Sequence, residues 1–368
     1  MNILLITQED ILAGSSFSVS YLAQALALRG HNTYVAARPN SVLHQLVSNI
    51  SEVTFLPIVI KSRFDRNAMR LVRSWIDIYQ IDIINAQSSK DRYITIFNRI
   101  FFNVKTPLFH TRRQYPLSSG GFLQRKLYVL GTDKIIVISE ELKRIFILKG
   151  FPERHLHVIY NGIPVSRYKQ WSESEVVSLR KQYGISEGEI TIGSVSRLKR
   201  QEQLIRSLIY LNKPEIKVIL VGIKQGYFDS LCKELGVQNT IIYAGEVSPE
   251  KVLNYYKLIT INVLASITDG FGLVLLEAMA MGSAVVATRF GGIINVIKND
   301  INGLLFNDGD HQELAYQLNQ LITNDNKRAE LVQLGLKTAY EDFSMHKTAL
   351  NYETFFLEQI TLAEQSHP

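Results

Sequence analysis

The sequence predicts an α/β protein with two doubly wound parallel sheets, each wrapped by helices. Short apolar runs recur along the 368 residues, and each is followed by a segment with helical periodicity. This alternation occurs twice, on either side of a polar stretch near the middle of the chain. Two such domains in tandem would leave a cleft, where ligands bind beyond the carboxyl ends of the strands.

The first domain is predicted over residues 1–165. It opens with a strand at Asn2 to Thr7, a polar loop through Gly14 and a helix of about Phe17 to Leu28. The sequence Arg29-Gly30-His31 stops this helix. Further strands are predicted at Thr33 to Ala37, Val53 to Pro57, Ile81 to Asn85, Pro107 to His110, Ile135 to Ile138 and Leu156 to Tyr160.

A polar stretch from Asn161 through Glu175 is interpreted as the connection to a second domain over residues 166–345. Its strands are predicted at Ile190 to Val195, Ile216 to Val221, Thr240 to Ala244, Thr260 to Leu264, Ala284 to Thr288 and Gly303 to Phe306. Helices lie between them, notably at Glu202 to Leu211 and Tyr227 to Leu235. We expect the last segment, 346–368, to be a helix that packs back on the first domain.

Composition and cysteine usage indicate a globular protein of a reducing compartment. Hydrophobic residues make up 46% of the chain, and the single Cys232 cannot form an intramolecular disulfide. The first strand is too short for a signal peptide and lacks its basic flank. No window approaches the roughly 18 apolar residues of a membrane span. We therefore expect a cytoplasmic protein whose membrane contact, at the inner face, is at most peripheral.

The net charge of +6 is unevenly distributed along the chain. Residues 1–170 hold 22 Lys and Arg against 11 Asp and Glu, whereas the remainder holds 18 against 23. The first part therefore carries +11 and the second −5. This asymmetry indicates two domains with different partners.

The most informative segment runs from Thr268 to Met281 and joins a glycine-rich turn to an apolar helix. If Leu273 to Met281 is helical, the neighbours of Glu277 three and four residues away are all apolar. A buried carboxylate needs hydrogen-bond donors, and ligand hydroxyls are suitable ones. The start of the helix offers N–H groups to a phosphate. The segment is therefore interpreted as a site for a ligand with hydroxyls and phosphate, with a backbone group or an arginine as the alternative partner of Glu277.

Several segments follow one another in an order typical of one enzyme family. In Ser266 to Ala280, Asp269 and Glu277 lie eight residues apart, and Gly270-Phe271-Gly272 lies between them. The other matching segments are Tyr160-Asn161-Gly162-Ile163, Val195-Ser196-Arg197-Leu198, Gly291-Gly292-Ile293 and Asn302-Gly303-Leu304-Leu305. Together they resemble a family-four retaining glycosyltransferase of the GT-B fold, over nearly the whole chain. The resemblance implies two Rossmann-like domains facing each other across a cleft, and a hexosyltransferase-like enzyme that uses a nucleotide-sugar donor without a metal or other cofactor.

The resemblance implies a role for each part of the signature. Glu277 would hydrogen-bond the ribose hydroxyls, and Asp269 would hold hydroxyls of the transferred sugar. The family usually has Glu at position 269, so the shorter aspartate predicts that the sugar sits differently or is a different one. The backbone N–H groups expected near sugar and diphosphate are those of Gly270, Phe271, Gly272 and Leu273.

The resemblance also implies cations at the diphosphate. Arg197 ends a strand and would face the leaving group, whose negative charge grows in the transition state. The family has a lysine five or six residues later, followed by glycine, where this chain has Glu202 and Gln203. Lys199 or Arg200 is the candidate for the second cation, and the sequence does not choose between them.

Two residues of the first domain complete the implied donor site. Gly14 would approach the diphosphate, because it has no side chain to obstruct the contact. His110 resembles a cleft histidine of the family that helps to position the donor sugar. A structural role at the end of a strand is the alternative for His110.

Basic residues of the first domain are candidates for acceptor or membrane contact. Arginines at spacings of three and four share one side of a predicted helix, namely Arg63, Arg66, Arg70 and Arg73. Such a helix is typical of anionic membrane surfaces, although an ordinary solvated helix side has the same pattern. Arg112 and Arg113, just after His110, are candidates for an anionic acceptor such as a lipid-linked diphosphate or a phosphorylated glycan. We expect a glycan or lipid-linked acceptor from envelope polysaccharide or lipopolysaccharide synthesis.

Two alternative functions remain open from the sequence. Epimerases of sugar nucleotides share the architecture, but their motifs differ and they need no acceptor. A catalytically weak relative that only binds a sugar nucleotide is the other, because Asp269, Glu202 and Asn295 depart from the family pattern. The scattered histidines predict no metal site, and the basic clusters lack the aromatic residues typical of nucleic-acid binding. The nucleotide, sugar, acceptor, linkage and oligomeric state are not specified.

Overall fold

The chain forms two compact units, each built around one parallel sheet. The structure is a computed structural model that describes residues 1–8, 14–114 and 121–365. The first unit comprises Met1–Gly162 together with Met345–Pro368, and the second comprises Ile163–Ser344. The chain therefore leaves the first unit once and returns to it with its last helix.

The sheet of the first unit is parallel throughout the described residues. Its strands are β1 (Asn2–Ile6), β2 (Asn32–Ala37), β3 (Val53–Pro57), β4 (Ile83–Ala86), β5 (Leu108–Arg112), β6 (Lys134–Val137) and β7 (Leu156–Val158). They pair in the order β3-β2-β1-β4-β5-β6-β7. Because β1 pairs with both β2 and β4, the strand order reverses there, and the carboxyl ends of β1 and β4 mark the usual ligand edge of an open sheet.

The helices of the first unit follow its strands. They are α1 (Gly14–Leu28), α2 (Val42–Ser48), α3 (Arg66–Ile78), α4 (Ser89–Phe102), α5 (Phe122–Gly131) and α6 (Glu140–Leu148). The predicted start of α1 at Phe17 was wrong, because the described helix already begins at Gly14. The first turn consists of small polar residues, which hide the apolar periodicity, and the Ser18 hydroxyl donates to the Gly14 carbonyl at 2.7 Å.

The basic helix α3 begins later than the sequence indicated. Asp65 caps it by accepting a hydrogen bond from the Ala68 N–H at 3.1 Å. Arg63 therefore precedes the helix, and the prediction that it shares the helical side was wrong; its guanidinium lies 4.7 Å from the Tyr93 ring centroid. The three remaining predicted arginines do lie on α3, where Met69, Val72 and Ile76 are buried. They are Arg66 and Arg70, both exposed, and Arg73, paired with Asp77 at 3.1 Å.

The second unit repeats the pattern with another parallel sheet. Its strands are β8 (Thr191–Val195), β9 (Lys217–Val221), β10 (Ile241–Gly245), β11 (Ile261–Leu264), β12 (Ala284–Thr288) and β13 (Leu304–Phe306), in the order β10-β9-β8-β11-β12-β13. Its helices are α7 (Glu173–Tyr183), α8 (Glu202–Leu211), α9 (Asp229–Leu235), α10 (Val252–Leu258), α11 (Leu273–Ala280), α12 (Ile293–Val296), α13 (His311–Thr323) and α14 (Asp325–Lys337). A 3-10 turn at Val165–Lys169 precedes them, and a π-helical turn at Thr338–Asp342 follows them.

The last helix, α15 (Met345–Gln365), belongs to the core of the first unit. Tyr352, Phe355 and Phe356 are buried with residues of β1 and α1. The rings of Phe109 on β5 and Phe356 stack with centroids 5.4 Å apart. The helix therefore covers one side of the first sheet and leaves the other to α4, α5 and their neighbours. Across the described residues, we find no helix both long and apolar enough to cross a bilayer.

Candidate active site

Two loops meet closely at the start of α11. Gly272 has φ +85°, in the left-handed region that favours glycine, and directly precedes the helix. A Cβ atom on Gly292 would lie only 1.8 Å from the carbonyl oxygen of Gly270. The Phe271 side chain is buried and contacts the Phe343 ring edge-on at 5.5 Å. The turn that leads into α11 is therefore closely packed, and its Phe271 side chain belongs to the interior.

Glu277 on α11 finds hydrogen-bond partners within the second unit. The Tyr256 hydroxyl of α10 donates to Glu277 Oε2 at 3.1 Å. Burial raises the pKa of the carboxyl, and the nearby Arg167 guanidinium and the Tyr256 and Tyr168 hydroxyls counteract that effect. The residue as a whole is half-buried. The carboxylate is therefore held in place by the Tyr256 hydroxyl in a setting largely shielded from water.

Asp269 forms an ion pair with Lys199, and both side chains are largely shielded from solvent, with 22% and 14% exposed. Lys199 follows β8 and Asp269 follows β11, and these two strands are neighbours in the sheet. Because the carboxyl ends of parallel strands share one edge, the two loops come together there. The structure thus brings a predicted sugar-binding acid and a predicted diphosphate cation into direct contact.

Gln201 fixes the short loop that carries Lys199. Its side chain is buried; its Oε1 accepts from the Lys199 N–H at 2.7 Å. Its amide nitrogen donates to the Ser196 hydroxyl at 2.7 Å and to the Arg197 carbonyl at 3.1 Å. These bonds hold the path of the loop between β8 and α8. Sequence reasoning missed Gln201, because a glutamine between a basic loop and a helix carries no local signal of this role.

The other two cations of this loop, Arg200 and Arg197, differ from Lys199 in the partners of their side chains. Arg200 pairs with Asp308, and its Nε lies 3.5 Å from Glu202 Oε1. Arg197 is exposed, and among the described residues its guanidinium has no hydrogen-bond or ion-pair partner. Arg197 is therefore available to a ligand, and Lys199 rather than Arg200 lies at the predicted sugar-binding acid.

Two predicted donor-site residues lie in the first unit. Gly14 begins α1, while the loop residues just before it fall outside the described ranges. His110 lies on β5 with 1% of its surface exposed, and its ring meets Tyr128 edge-on at 5.6 Å. Burial, followed by the charges of Arg92 and Arg112, holds the His110 pKa well below its usual range. The imidazole is therefore neutral at physiological pH, with one nitrogen that carries hydrogen and one that accepts.

The predicted acceptor arginines follow His110 at the end of β5. The Arg112 guanidinium carbon lies 5.0 Å from the centroid of the Phe146 ring. Arg113 donates to the side-chain oxygen of Gln87 through a short hydrogen bond. Residues 115–120, which follow in the sequence, lie outside the described residues.

Two family models match the chain, one for each unit. Residues 13–167 match the model described as "Glycosyltransferase Family 4", and residues 177–338 match "Glycosyl transferases group 1". The chain belongs to the family-four glycosyltransferases. The predicted family is thereby confirmed, and the signature with Asp269 and Glu277 lies within the second match.

Curated relatives of this glycosyltransferase match part of their own length. An uncharacterised glycosyltransferase of Methanocaldococcus jannaschii is 30% identical over 59% of this chain and 57% of its own. N-acetyl-alpha-D-glucosaminyl L-malate synthase of Bacillus anthracis is 29% identical over 56% of this chain and 55% of its own. The matched part thus spans just over half the length of these relatives.

Solved structures share the fold over the whole chain. HepE of Anabaena, crystallised in complex with UDP, is 23% identical and covers 97% of this glycosyltransferase and 100% of its own chain, with a TM-score of 0.80. HepE was also crystallised with UDP-glucose. The GT-B fold predicted for this chain is therefore confirmed. The roles predicted for individual site residues stay predictions.

Proposed function

We propose that this glycosyltransferase transfers a sugar from a nucleotide-sugar donor to a hydroxyl of a glycan or lipid-linked acceptor, with retention of anomeric configuration. One observation carries the proposal: neighbouring strands β8 and β11 bring Lys199 to Asp269, while Glu277 lies about one turn after the start of α11. A nucleotide sugar needs a cation for its diphosphate and hydrogen-bond acceptors for its hydroxyls. These residues supply both.

The donor we propose is a uridine diphosphate sugar. HepE, which shares the fold, binds UDP and UDP-glucose, and this supports a uridine nucleotide here. In the proposed complex Glu277 accepts hydrogen bonds from the ribose, Asp269 holds the transferred sugar, and Arg197 contacts the diphosphate. The N–H groups at the start of α11 add partial positive charge at the same place.

We further propose that no metal takes part in the reaction. The bond between the anomeric carbon and the diphosphate breaks, and the leaving diphosphate gains negative charge. Arg197 and Lys199 stabilise that charge, as a divalent ion does in other folds. The acceptor oxygen bonds to the anomeric carbon, and its proton passes to the departing diphosphate on the same face. No protein nucleophile is assigned.

The acceptor is proposed to belong to envelope polysaccharide or lipopolysaccharide synthesis at the cytoplasmic face of a membrane. The basic first unit supports this placement, and Arg66 and Arg70 on α3 leave their charges exposed. Anionic lipid headgroups attract such a helix. Sedimentation with anionic vesicles at low and high salt tests the membrane contact, and absence of binding at low salt contradicts it.

A thermal-shift screen of sugar nucleotides, followed by product analysis, tests the proposed reaction. A ligand that binds the folded state raises its melting temperature, so the correct donor is identified by the largest shift. Glu277→Gln should lose that shift, while Glu313→Gln, on α13, should keep it. Release of the nucleoside diphosphate from the donor supports transfer. An epimerised sugar still attached to its nucleotide would instead show an epimerase, and binding without turnover would show a catalytically inactive relative.

A further inference from the structure

A row of aromatic rings lies on the surface of the first unit, on α4 and on the turn before α3. The rings of Phe64 and Phe97 stack with centroids 4.7 Å apart, and the ring of Phe101 follows that of Phe97 at 5.8 Å. Phe97 and Phe101 are four residues apart on α4, so they share one side of that helix. We call Phe64, Phe97 and Phe101 the aromatic ridge.

The aromatic ridge is exposed to solvent at both of its ends. Phe64 is 64% exposed and Phe101 is 63% exposed, whereas Phe97 between them is half-buried. Ile100 and Phe102, on the same last turn of α4, are exposed as well. Single exposed apolar side chains are ordinary in a folded protein, but a contiguous group of them marks a contact surface. The ridge is such a group.

The packing of α4 within the first unit does not depend on the exposed ends of the ridge. Ile94 and Ile96 on α4 are fully buried. The side-chain amide of Asn98 donates to the carbonyl of Met69 at 3.1 Å and thereby ties α4 to α3. Because these residues hold the helix in place, the exposed rings of Phe64 and Phe101 are not needed to fold it.

A cation lies directly beside the aromatic ridge. The Arg63 guanidinium carbon lies 4.7 Å from the centroid of the Tyr93 ring, and that ring is 6.2 Å from the ring of Phe97. Arg63 is also the neighbour of Phe64 in the sequence and is itself exposed. The ridge and a positive charge are therefore presented together on the same part of the surface.

The chain around the aromatic ridge carries an excess of positive charge. Residues 61–105 hold nine Lys and Arg against four Asp and Glu, a net charge of +5. The one acid between positions 61 and 70, Asp65, accepts hydrogen bonds from backbone N–H groups as the cap of α3. The cations in that stretch are all exposed, namely Lys61, Arg63, Arg66 and Arg70. A fitting partner offers both negative charge and an apolar phase.

We propose that the aromatic ridge inserts into the headgroup region of an anionic lipid bilayer, while the cations of residues 61–70 contact the lipid phosphates. Apolar rings beside exposed cations are the combination that binds such a surface. A second copy of this chain would bring like charges together, and a soluble anionic polymer has no apolar phase for the rings. The inference deepens the membrane contact of the proposed function and rests on it. The exposed arginines attract the bilayer, and the ridge adds a contact that salt does not screen.

Sedimentation of the full chain with vesicles of phosphatidylcholine and phosphatidylglycerol tests the insertion. Binding is measured at about 0.1 M and about 1 M salt, where charges are screened beyond about 10 Å and about 3 Å. We expect part of the parent's binding to persist at the higher salt. The double variant Phe64→Ser/Phe101→Ser should bind at least about tenfold more weakly at both concentrations, because two large apolar side chains are removed. Arg63→Gln should weaken binding only at the lower salt.

An aromatic residue of the second unit provides the matched control. Tyr316 on α13 is 63% exposed, the same fraction as Phe101, so Tyr316→Ser should bind vesicles as the parent does. Phe101→Trp and Tyr316→Trp report on insertion directly, because both keep the chain's two native tryptophans as a common background. We expect vesicles to shift the emission of Phe101→Trp to shorter wavelength and to leave that of Tyr316→Trp unchanged.

Several results would overturn the proposal. They are absence of vesicle binding by the parent, equally tight binding to vesicles of phosphatidylcholine alone, equal losses in the double variant and in Tyr316→Ser, and no emission shift in Phe101→Trp. A double variant that fails to fold would show that the ridge is structural. A lipid-free parent that sediments as a dimer, with a monomeric double variant, would assign the ridge to a second copy of the chain.

The transferase reaction is measured separately, without vesicles. The double variant should release the nucleoside diphosphate from the donor at the parent rate, because the ridge lies in the first unit and outside the proposed donor site. A chain that binds vesicles through the ridge but releases no nucleoside diphosphate would contradict the proposed reaction and not the ridge. Release at the parent rate without any vesicle binding would contradict the ridge alone.

Discussion

Replacement of Asp269 by asparagine tests whether the diphosphate of the donor takes Lys199 away from this carboxylate. The two side chains form an ion pair that is largely shielded from solvent. If Lys199 turns to the diphosphate when the donor enters, the pair must first be broken. Asparagine keeps the shape of the side chain and removes its charge, so the variant starts with Lys199 released.

The expected size of the effect follows from the exposure of the pair. An exposed ion pair contributes about 0–1 kcal/mol, whereas unit charges about 4 Å apart interact by about 4 kcal/mol at an effective dielectric constant of about 20. With 14% and 22% of the side chains exposed, the pair lies between these limits. A gain of about 1.4 kcal/mol corresponds to tenfold tighter binding of UDP. Sugar transfer should fall by about tenfold to a hundredfold, because a charged hydrogen bond to the sugar is lost.

Isothermal titration with UDP measures the predicted gain directly. Asp308→Asn is the matched control, because it removes the same charge and releases Arg200 from the same loop. Tighter UDP binding in Asp269→Asn alone supports an exchange of Lys199 between acid and diphosphate. If both variants gain equally, the effect is a general one of net charge. If Asp269→Asn binds UDP no more tightly than the parent, the reasoning is refuted.

Three further predictions concern the same unit. The pKa of Glu277 lies above its ordinary value of 4.5, and donor affinity should fall as pH is lowered through it, because a protonated carboxyl accepts fewer hydrogen bonds. Titrations with the donor across a pH series measure this, and Glu277→Gln should show no such fall. Tyr256→Phe removes a donor to that carboxylate, so it should raise the pKa of Glu277 further and weaken donor binding by about 1 kcal/mol, measured by the same titrations. Gly292→Ala should destabilise the chain by about 2 kcal/mol or more in denaturant unfolding, because the added Cβ meets the Gly270 carbonyl. Gly121→Ala in the first unit, whose Cβ meets no atom of the described residues, should not.

Regular elements were predictable where the pattern of apolar residues was unambiguous. The strand β12 and the helix α8 occupy the residues that the sequence indicated, because one is a continuous apolar run and the other has a clear helical period. The start of α1 and the position of Arg63 were not predictable from that pattern. The side-chain cap at Asp65 marks the start of α3, and the first turn of α1 consists of small polar residues without an apolar pattern.

The residues of the site's signature were predictable from the sequence. The side chains that bond to Glu277 and Asp269 were not. The sequence indicated that Glu277 needs donors, yet Tyr256 is 21 residues away along the chain and reaches it only in the folded structure. It also left Lys199 and Arg200 as equal candidates. The path of a short loop, fixed by Gln201, decides which cation meets Asp269, and such a path depends on contacts that a single sequence does not display.

The central claim is that the second unit holds a nucleotide sugar whose diphosphate is stabilised by Arg197 as the sugar leaves. The most direct measurement is the rate of nucleoside diphosphate release from the donor identified in the screen. We predict that Arg197→Gln slows this release at least about a hundredfold, the loss expected for a charged group acting on the transition state. Arg206→Gln, on α8 of the same unit, should release it at the parent rate. Equal rates for the parent and Arg197→Gln would contradict the account.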